Sequence, residues 1–270
     1  PRAVFLRTVW AELHRLHSHL LWLGLVADSF GFESLFMQFW KLREVVLDIN
    51  EATAGNRIIV SVSIPGGVRR DLSPEQMRWL LGELERLEEG LRAAERPLLR
   101  EYTVQKRMVG KGVLSASQAA ELGVVGPTAR GSGIGLDLRQ TGYGAYGALD
   151  FQPVTETAGD CFARCRVRFA ETRQSIDLIR QALGRLPAGE VRQPFKGRPD
   201  GEAVSRVEQP RGELLYYIRG DGGRHLQRVR IRTPSFANIP ALLSMLPGMW
   251  LSDVPVIVLS IDPCISCTER

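Results

Sequence analysis

The sequence predicts a mainly α fold of the α+β class, a central bundle of long helices with a small β lobe. Two observations carry this reading. Four long helical segments occupy 3–27, 33–54, 73–95 and 159–186, and a hairpin signature follows at 213–232. At 270 residues the chain is long enough to bury a substantial core, and 44% apolar with 24% charged residues is ordinary globular composition.

The segment 3–27 is rich in Leu, Trp and Val around most of its circumference, which places it at the centre of a bundle. Gly31 ends it, and 33–54 forms a second helix closed by Gly55. A β-branched run at 57–64 meets a turn at Pro65-Gly66-Gly67. Ser73-Pro74-Glu75-Gln76 is a capping box with Pro at the first helical position, and opens a helix to about 95 with one charged face. A short helix at 115–122 stops at Gly123. The Gly-rich stretch 126–146 is irregular backbone, and long irregular segments in compact domains tend to be functional. The helix 159–186 stops at Pro187, and 187–201 is a polar connection. The stretches 213–218 and 227–232 flank Gly220-Asp221-Gly222-Gly223 as a β-hairpin. A helix is expected near 239–246, and a buried strand or extended segment at 254–260. The domain reading is 1–186 as the helix-bundle portion, with 187–270 as the hairpin lobe and C-terminal metal-binding segment of the same domain.

The net charge of +5 comes largely from scattered Arg, with no continuous basic helix face or aromatic platform, so nucleic acid is not the expected partner. No apolar run approaches the roughly 20 residues needed to span a bilayer. No signal-peptide layout opens the chain; amphipathic helical sequence follows Pro1 and Arg2 at once, as if the chain began within a longer protein.

The four cysteines fall in two pairs. Cys264 and Cys267 present two thiols on one turn, suited to half of a soft-metal site, a redox pair or a structural turn. Pro263 fixes the backbone entering that turn, and Asp262 is placed to accept from its amides. Cys161 and Cys165 lie four apart on a helix. They read first as small buried side chains, a zinc site using both pairs being the alternative. His14, His17 and His19 crowd one helix. They read as buried polar residues of the bundle, with metal sharing or proton relay as the alternative. Asp28, Asp137 and Arg139 suit a proton path, a cavity or structural ion pairs. Trp10, Trp22 and Trp40 suit the core or subunit contacts.

Asp262-Pro263-Cys264-Ile265-Ser266-Cys267-Thr268-Glu269-Arg270 resembles the C-terminal nickel-binding motif of [NiFe]-hydrogenase large subunits. Its form is similar to that of the membrane-bound, energy-converting, formate hydrogenlyase-like group. In the same family order stand the run Glu12 to Leu21, Phe36-Met37-Gln38-Phe39, and Gly66-Gly67-Val68-Arg69-Arg70-Asp71-Leu72. Gly126-Pro127, Arg130-Gly131-Ser132-Gly133 and Pro210-Arg211-Gly212 complete it. That order also resembles the 49 kDa subunit of respiratory complex I, which lacks the terminal Cys pair and lines a quinone cavity.

The resemblance implies that Cys264 and Cys267 are thiolate ligands of a Ni–Fe centre. Arg211 would overhang the metals and assist H2 cleavage, with Asp262 pairing to the arginines. Pro210 and Ser260 would line the pocket for the iron's diatomic ligands. Arg270 resembles the residue after which the family's precursor is trimmed. Implied partners are an iron–sulfur small subunit carrying clusters, a complex I 30 kDa-like subunit, membrane-arm subunits, and a maturation chaperone and endopeptidase, at the cytoplasmic side of a membrane. The family's other two nickel thiolates sit in an upstream Cys-x-x-Cys, and no such pair precedes Cys161. The N-terminal part of the fold is therefore expected to be missing, and these residues alone to be inactive. Without nickel, the implied alternatives are a quinone-facing electron-transfer subunit or a metal-free scaffold coupling redox change to ion pumping.

Overall fold

The computed structural model describes residues 1–269; Arg270, which resembles a precursor trimming point, lies outside the described residues. Helices α1 (Arg2–Ser29), α2 (Glu33–Ala54), α3 (Pro74–Arg100) and α7 (Cys161–Gly184) form the bundle. Helix α1 packs against both α2 and α7, and buries Leu6, Val9, Leu13, Leu16, Leu20 and Leu23 at 3.6-residue spacing. Without an upstream segment, α1 would be expected to bare an apolar face. It does not, because α2 and α7 cover it; only Leu25 among its large apolar side chains is exposed.

The punctuation follows the sequence. After α1, the amide of Gly31 bonds Asp28 O at 2.8 Å, and Gly55 closes α2 in the left-handed conformation. Ser73 and Gln76 make both hydrogen bonds of the capping box. Helix α3 runs five residues past the expected end near Glu95, straight through Pro97. Leu98 still continues the buried stripe of Leu80, Leu84, Leu87, Leu91 and Ala94, and that burial outweighs one lost backbone bond.

Between α3 and α7 lie α4 (Tyr102–Met108), α5 (Ala116–Glu121) and α6 (Pro127–Arg130), then two short 3-10 turns at Leu138–Thr141 and Tyr146–Ala148. Little of 57–64 is strand. Only β1 (Ser63–Ile64) pairs with β2 (Gly67–Val68) around the expected Pro65-Gly66 turn.

The β lobe is a three-stranded antiparallel sheet, β3 (Asp200–Gln209), β4 (Gly212–Asp221) and β5 (Arg228–Arg232), in that order. The expected hairpin is β4–β5. Strand β3 is an addition to the sequence reading: its mixed polar sequence, exposed until Val207, lacks a two-residue apolar alternation. Its register pairs Gln209 with Gly212, so Pro210 and Arg211 are the two loop residues of a tight hairpin.

The chain then returns to the bundle through α8 (Pro234–Asn238), α9 (Leu242–Met245), α10 (Val254–Ser260) and α11 (Ile265–Thr268). The segment 254–260 is thus a helix rather than a strand. Pro255 sits in its first turn, and Val256, Ile257 and Ser260 share the buried face, a pattern too short for periodicity to separate from a strand. Among the described residues no helix is long and apolar enough to cross a membrane.

Candidate functional site

The Pro210-Arg211 hairpin and the C-terminal turn meet. Nε of Arg211 donates to the carbonyl of Asp262 at 2.9 Å and lies 3.1 Å from its Oδ2. Asp262 adopts a left-handed φ of 56°, reversing the chain after α10, with its amide bonded to Leu259 O at 2.8 Å. The same Leu259 carbonyl accepts the Trp22 indole N–H at 2.7 Å, tying the turn to α1. Trp22 is thus core, as is Trp10, which bonds Thr53, while Trp40 packs half-buried beside Gly24.

Behind the hairpin, Gly126 and Gly212 touch backbone to backbone. A Cβ on Gly126, itself at a φ of +69°, would stand 2.3 Å from Arg211 O. Gly126→Ala is therefore expected to push the Arg211 turn away and cost about 1–3 kcal/mol, which a denaturant melt would measure.

The cysteine turn is held from α8. The Cys264 amide donates to Ser235 Oγ at 3.0 Å, the Thr233 hydroxyl donates to Cys267 O, and the Thr268 hydroxyl donates to Cys264 O at 2.8 Å. Both thiols are half-buried. Burial raises the Cys264 thiol, but hydrogen bonds from Ser266 and Cys267 and the charge of Arg211 more than offset it, leaving Cys264 below the usual thiol value. Cys165 is the opposite case. Burial pushes it up to about 12, and Cys161 beside it is fully buried, so this pair is core. Among the described residues, no three His, Cys, Asp or Glu side chains converge to hold a metal by themselves.

Ser260 is buried, and its hydroxyl is committed: it donates to Ile257 O at 2.7 Å and accepts from Arg164 Nε at 3.0 Å. Two arginines on α7 join the site that motif reading does not single out. Arg164 donates to the carbonyls of Gly159 and Gly112, to Ser260 and to Cys161 Sγ, none of them a carboxylate. Arg168 stacks on Trp22 at 4.2 Å and donates only to Arg164 O, with Nε and Nη2 unpartnered. Burial lowers Arg168 to about 10, opposed by Asp262 and Glu171, so it stays charged at neutral pH. Burial also lifts the Asp262 carboxyl, against the pull of Arg211 and Arg168. The surroundings of the cysteine turn thus hold three guanidiniums, Arg164, Arg168 and Arg211, with Asp262 as the acid among them. Buried Arg164 and Arg168 with the half-buried Arg211 make the surroundings of Asp262 electropositive, which suits an anionic group such as a thiolate-ligated metal centre. The donors and the charge fit two of a centre's four thiolates. A signal for the arginines is present in the sequence: Cys161, Arg164, Cys165 and Arg168 follow i, i+3, i+4, i+7 spacing, putting charge on a core face.

A second buried group joins α1, α6, α7 and β3. Arg130 bonds Glu171 at 2.7 Å and Glu208 at 2.9 Å, Arg139 bonds Asp137 at 2.8 Å, and Glu12 accepts from Arg15, Ser175 and Tyr146. Asp137 and Arg139 belong here; Asp28 is exposed at the end of α1. His19 Nε2 is 2.9 Å from Glu171, and His17 Nε2 accepts from Arg43 at 2.8 Å, while His14 is exposed and stacks on His17. Burial lowers His19 to about 4, against the pull of Glu171. A depressed histidine binds its proton more tightly when unfolded. Its stabilising contribution is therefore present above pH 6.5 and lost as pH falls toward about 4. A melting temperature that declines across that window, and less steeply in His19→Gln, is the expected result.

The long-helix bundle with its small β lobe is the fold of an oxidoreductase subunit of the hydrogenase and complex I class. A model of the respiratory-chain NADH dehydrogenase 49 kDa subunit matches residues 29–196 and 192–270. The carbon monoxide-induced hydrogenase of Rhodospirillum rubrum is 42% identical over 273 residues, covering all of this chain and 76% of that protein. The alpha subunit of the membrane-bound hydrogenase of Pyrococcus furiosus is 39% identical over 287 residues, covering all of this chain and 67% of that protein. An NADH-quinone oxidoreductase subunit of Clostridium beijerinckii is 34% identical over 273 residues, again covering all of this chain and 74% of that protein. The chain belongs to the 49 kDa subunit family of oxidoreductase complexes, in which membrane-bound hydrogenase subunits are among its relatives.

Proposed function

We propose that this chain is the thiolate-bearing part of a membrane-bound [NiFe]-hydrogenase large subunit, interconverting H2 with protons and electrons. The observation that carries the reading is the Cys264–Cys267 turn set among guanidiniums that Asp262 alone does not balance. Cys264 and Cys267 would hold the metal, and a Ni–Fe centre would supply the low-potential site at which H2 is polarised. Such a centre would need two further thiolates beyond Cys264 and Cys267, so these 270 residues alone are expected to be inactive. Electrons would pass to clusters of an iron–sulfur partner, within a complex that includes a 30 kDa-like subunit and membrane-arm subunits on the cytoplasmic side. Maturation would require a chaperone and an endopeptidase. Hydrogenase and NADH-quinone oxidoreductase relatives both cover the chain fully, and the thiols favour the first.

In this reading Arg211 supplies fixed positive charge at the pocket. Asp262 orients its guanidinium by a hydrogen bond to its carbonyl and an ion-pair contact to Oδ2, and the Gly126 contact sets the loop's position. Pro210 rigidifies the same loop and, with Ser260, would line the diatomic-ligand pocket. Ser260 also holds Arg164 in place.

Arg211→Lys in the assembled complex keeps the charge but loses the planar fork. It is expected to lower H2-dependent dye reduction by about 100-fold while nickel is retained. No H2-dependent dye reduction by the wild-type complex would remove the reading and leave quinone-linked electron transfer.

A further inference from the structure

The buried network of α1, α6, α7 and β3 serves its carboxylates unevenly. Glu12, Asp137, Glu171 and Glu208 are each at most 5% exposed, and so are the guanidiniums of Arg15, Arg130 and Arg139 that pair with them. Four carboxylates are thus hydrogen-bonded by three guanidiniums, with Arg168 a fourth positive charge facing Glu171. Arg168 lies over Trp22 and makes no hydrogen bond into the network. A buried carboxylate short of donors is costly to keep ionised, and taking up a proton relieves that cost.

The hydrogen bonds show which carboxylate is served least. Glu171 has Arg130 Nε at 2.7 Å and His19 at 2.9 Å. Glu12 has Ser175 at 2.6 Å, Tyr146, Arg15 and Arg139. Asp137 takes the amide, Nε and Nη2 of Arg139 at 3.0, 3.0 and 2.8 Å. Glu208 has the Leu138 amide at 3.1 Å and one nitrogen, Arg130 Nη1 at 2.9 Å, which Asp137 Oδ2 also approaches to 3.1 Å. Two carboxylates on one guanidinium nitrogen do not both ionise cheaply. Meanwhile Arg130 Nη2 has no partner.

We infer that Glu208 is a proton-binding site, holding one exchangeable proton beside Asp137 at Arg130 and exchanging it with the cleft that Glu208 lines. That cleft, about 640 Å³, is bounded by Arg7, Trp10 and His14 of α1, the segment 58–63, and Gln209 and Tyr216 of the sheet. Every element around Glu208 contributes charge or a titrating group. Arg15, Glu12 and His14 come from α1, Arg130 from α6, and Glu171 from α7. Asp137, Arg139 and Tyr143 come from the intervening loop. Glu213 is opposite on β4, where Arg206 and Arg232 already bind it. Burial lifts the Glu208 carboxyl above its ordinary value against Arg130, and Asp137 adds to the lift. Asp137 is itself held below its usual value because its arginines outweigh burial. The site does not depend on whether the chain serves hydrogen or quinone chemistry.

Infrared difference spectroscopy of the purified complex at neutral pH, in H2O and D2O, tests this. The wild type is expected to show a deuterium-sensitive protonated-carboxyl band that Glu208→Gln removes. Asp262 is the other carboxyl lifted by burial, so Asp262→Asn is run beside it and should leave that band in place. Glu208→Asp keeps a carboxyl there and should shift the band, which keeps the test open if Glu208→Gln does not fold. A spectrum with no such band, or one unchanged by both Glu208 variants, overturns the inference.

Discussion

Replacing Arg130 with Met is expected to destabilise the protein by at least about 3–5 kcal/mol, the usual cost of stripping one partner from a buried ion pair. Arg130 is fully buried and is shared by Glu171, Glu208 and Asp137, and it also bonds the carbonyl of Leu136. Its loss leaves Glu171 and Asp137 competing with Glu12 for Arg15 and Arg139, and the Glu208 carboxyl without its guanidinium. Total stability of a domain is about 5–15 kcal/mol, so a large fraction would disappear. Arg130→Lys should not rescue it, since one ammonium cannot span what Nε and Nη1 hold. An exposed pair such as Arg78–Glu75 is the internal control, with less than about 1 kcal/mol expected on its removal. Thermal and denaturant melts of the three variants decide the matter. A melting temperature for Arg130→Met within a few degrees of wild type would show that the network carries little of the stability.

Cys264→Ser should cost the assembled complex its nickel. A hydroxyl is a harder and far less acidic ligand than a thiol already held below its usual value, so metal affinity should fall by more than about 100-fold. Cys165→Ala, on the core pair, should leave nickel in place while costing some stability. The two variants separate a ligand from a packing role. Equal nickel in both would mean that the terminal pair holds no metal.

The helix bundle is legible in the sequence because its signals are local: a capping box at Ser73, left-handed glycines after α1 and α2, and apolar stripes at helical spacing. Strand β3 is not, because its pairing with β4 is satisfied by backbone bonds and its side chains are mostly solvated. Helix α10 reads as a strand in the sequence because its short apolar run carries no period. At the candidate site, the resemblance already places Arg211, Asp262 and the thiols together, and the hairpin with its Gly126–Gly212 contact shows how the chain brings Arg211 to the turn. Arg164 and Arg168 show in the sequence only as charge on a core face of α7, and Thr233 and Ser235 emerge only from the folded chain. The two arginines gain meaning once Trp22 and Ser260 are packed against them, and the hydroxyls once α8 is folded beside the C-terminal turn. Glu208 escapes sequence reading for the same reason, its partners being far away in the chain.

The measurement that bears most directly on the central claim is the nickel and iron content of the intact complex, purified anaerobically with its full-length subunit. About one nickel per chain, with iron beyond that of the partner clusters, is the predicted result. No nickel, with iron confined to clusters of other subunits, would contradict it.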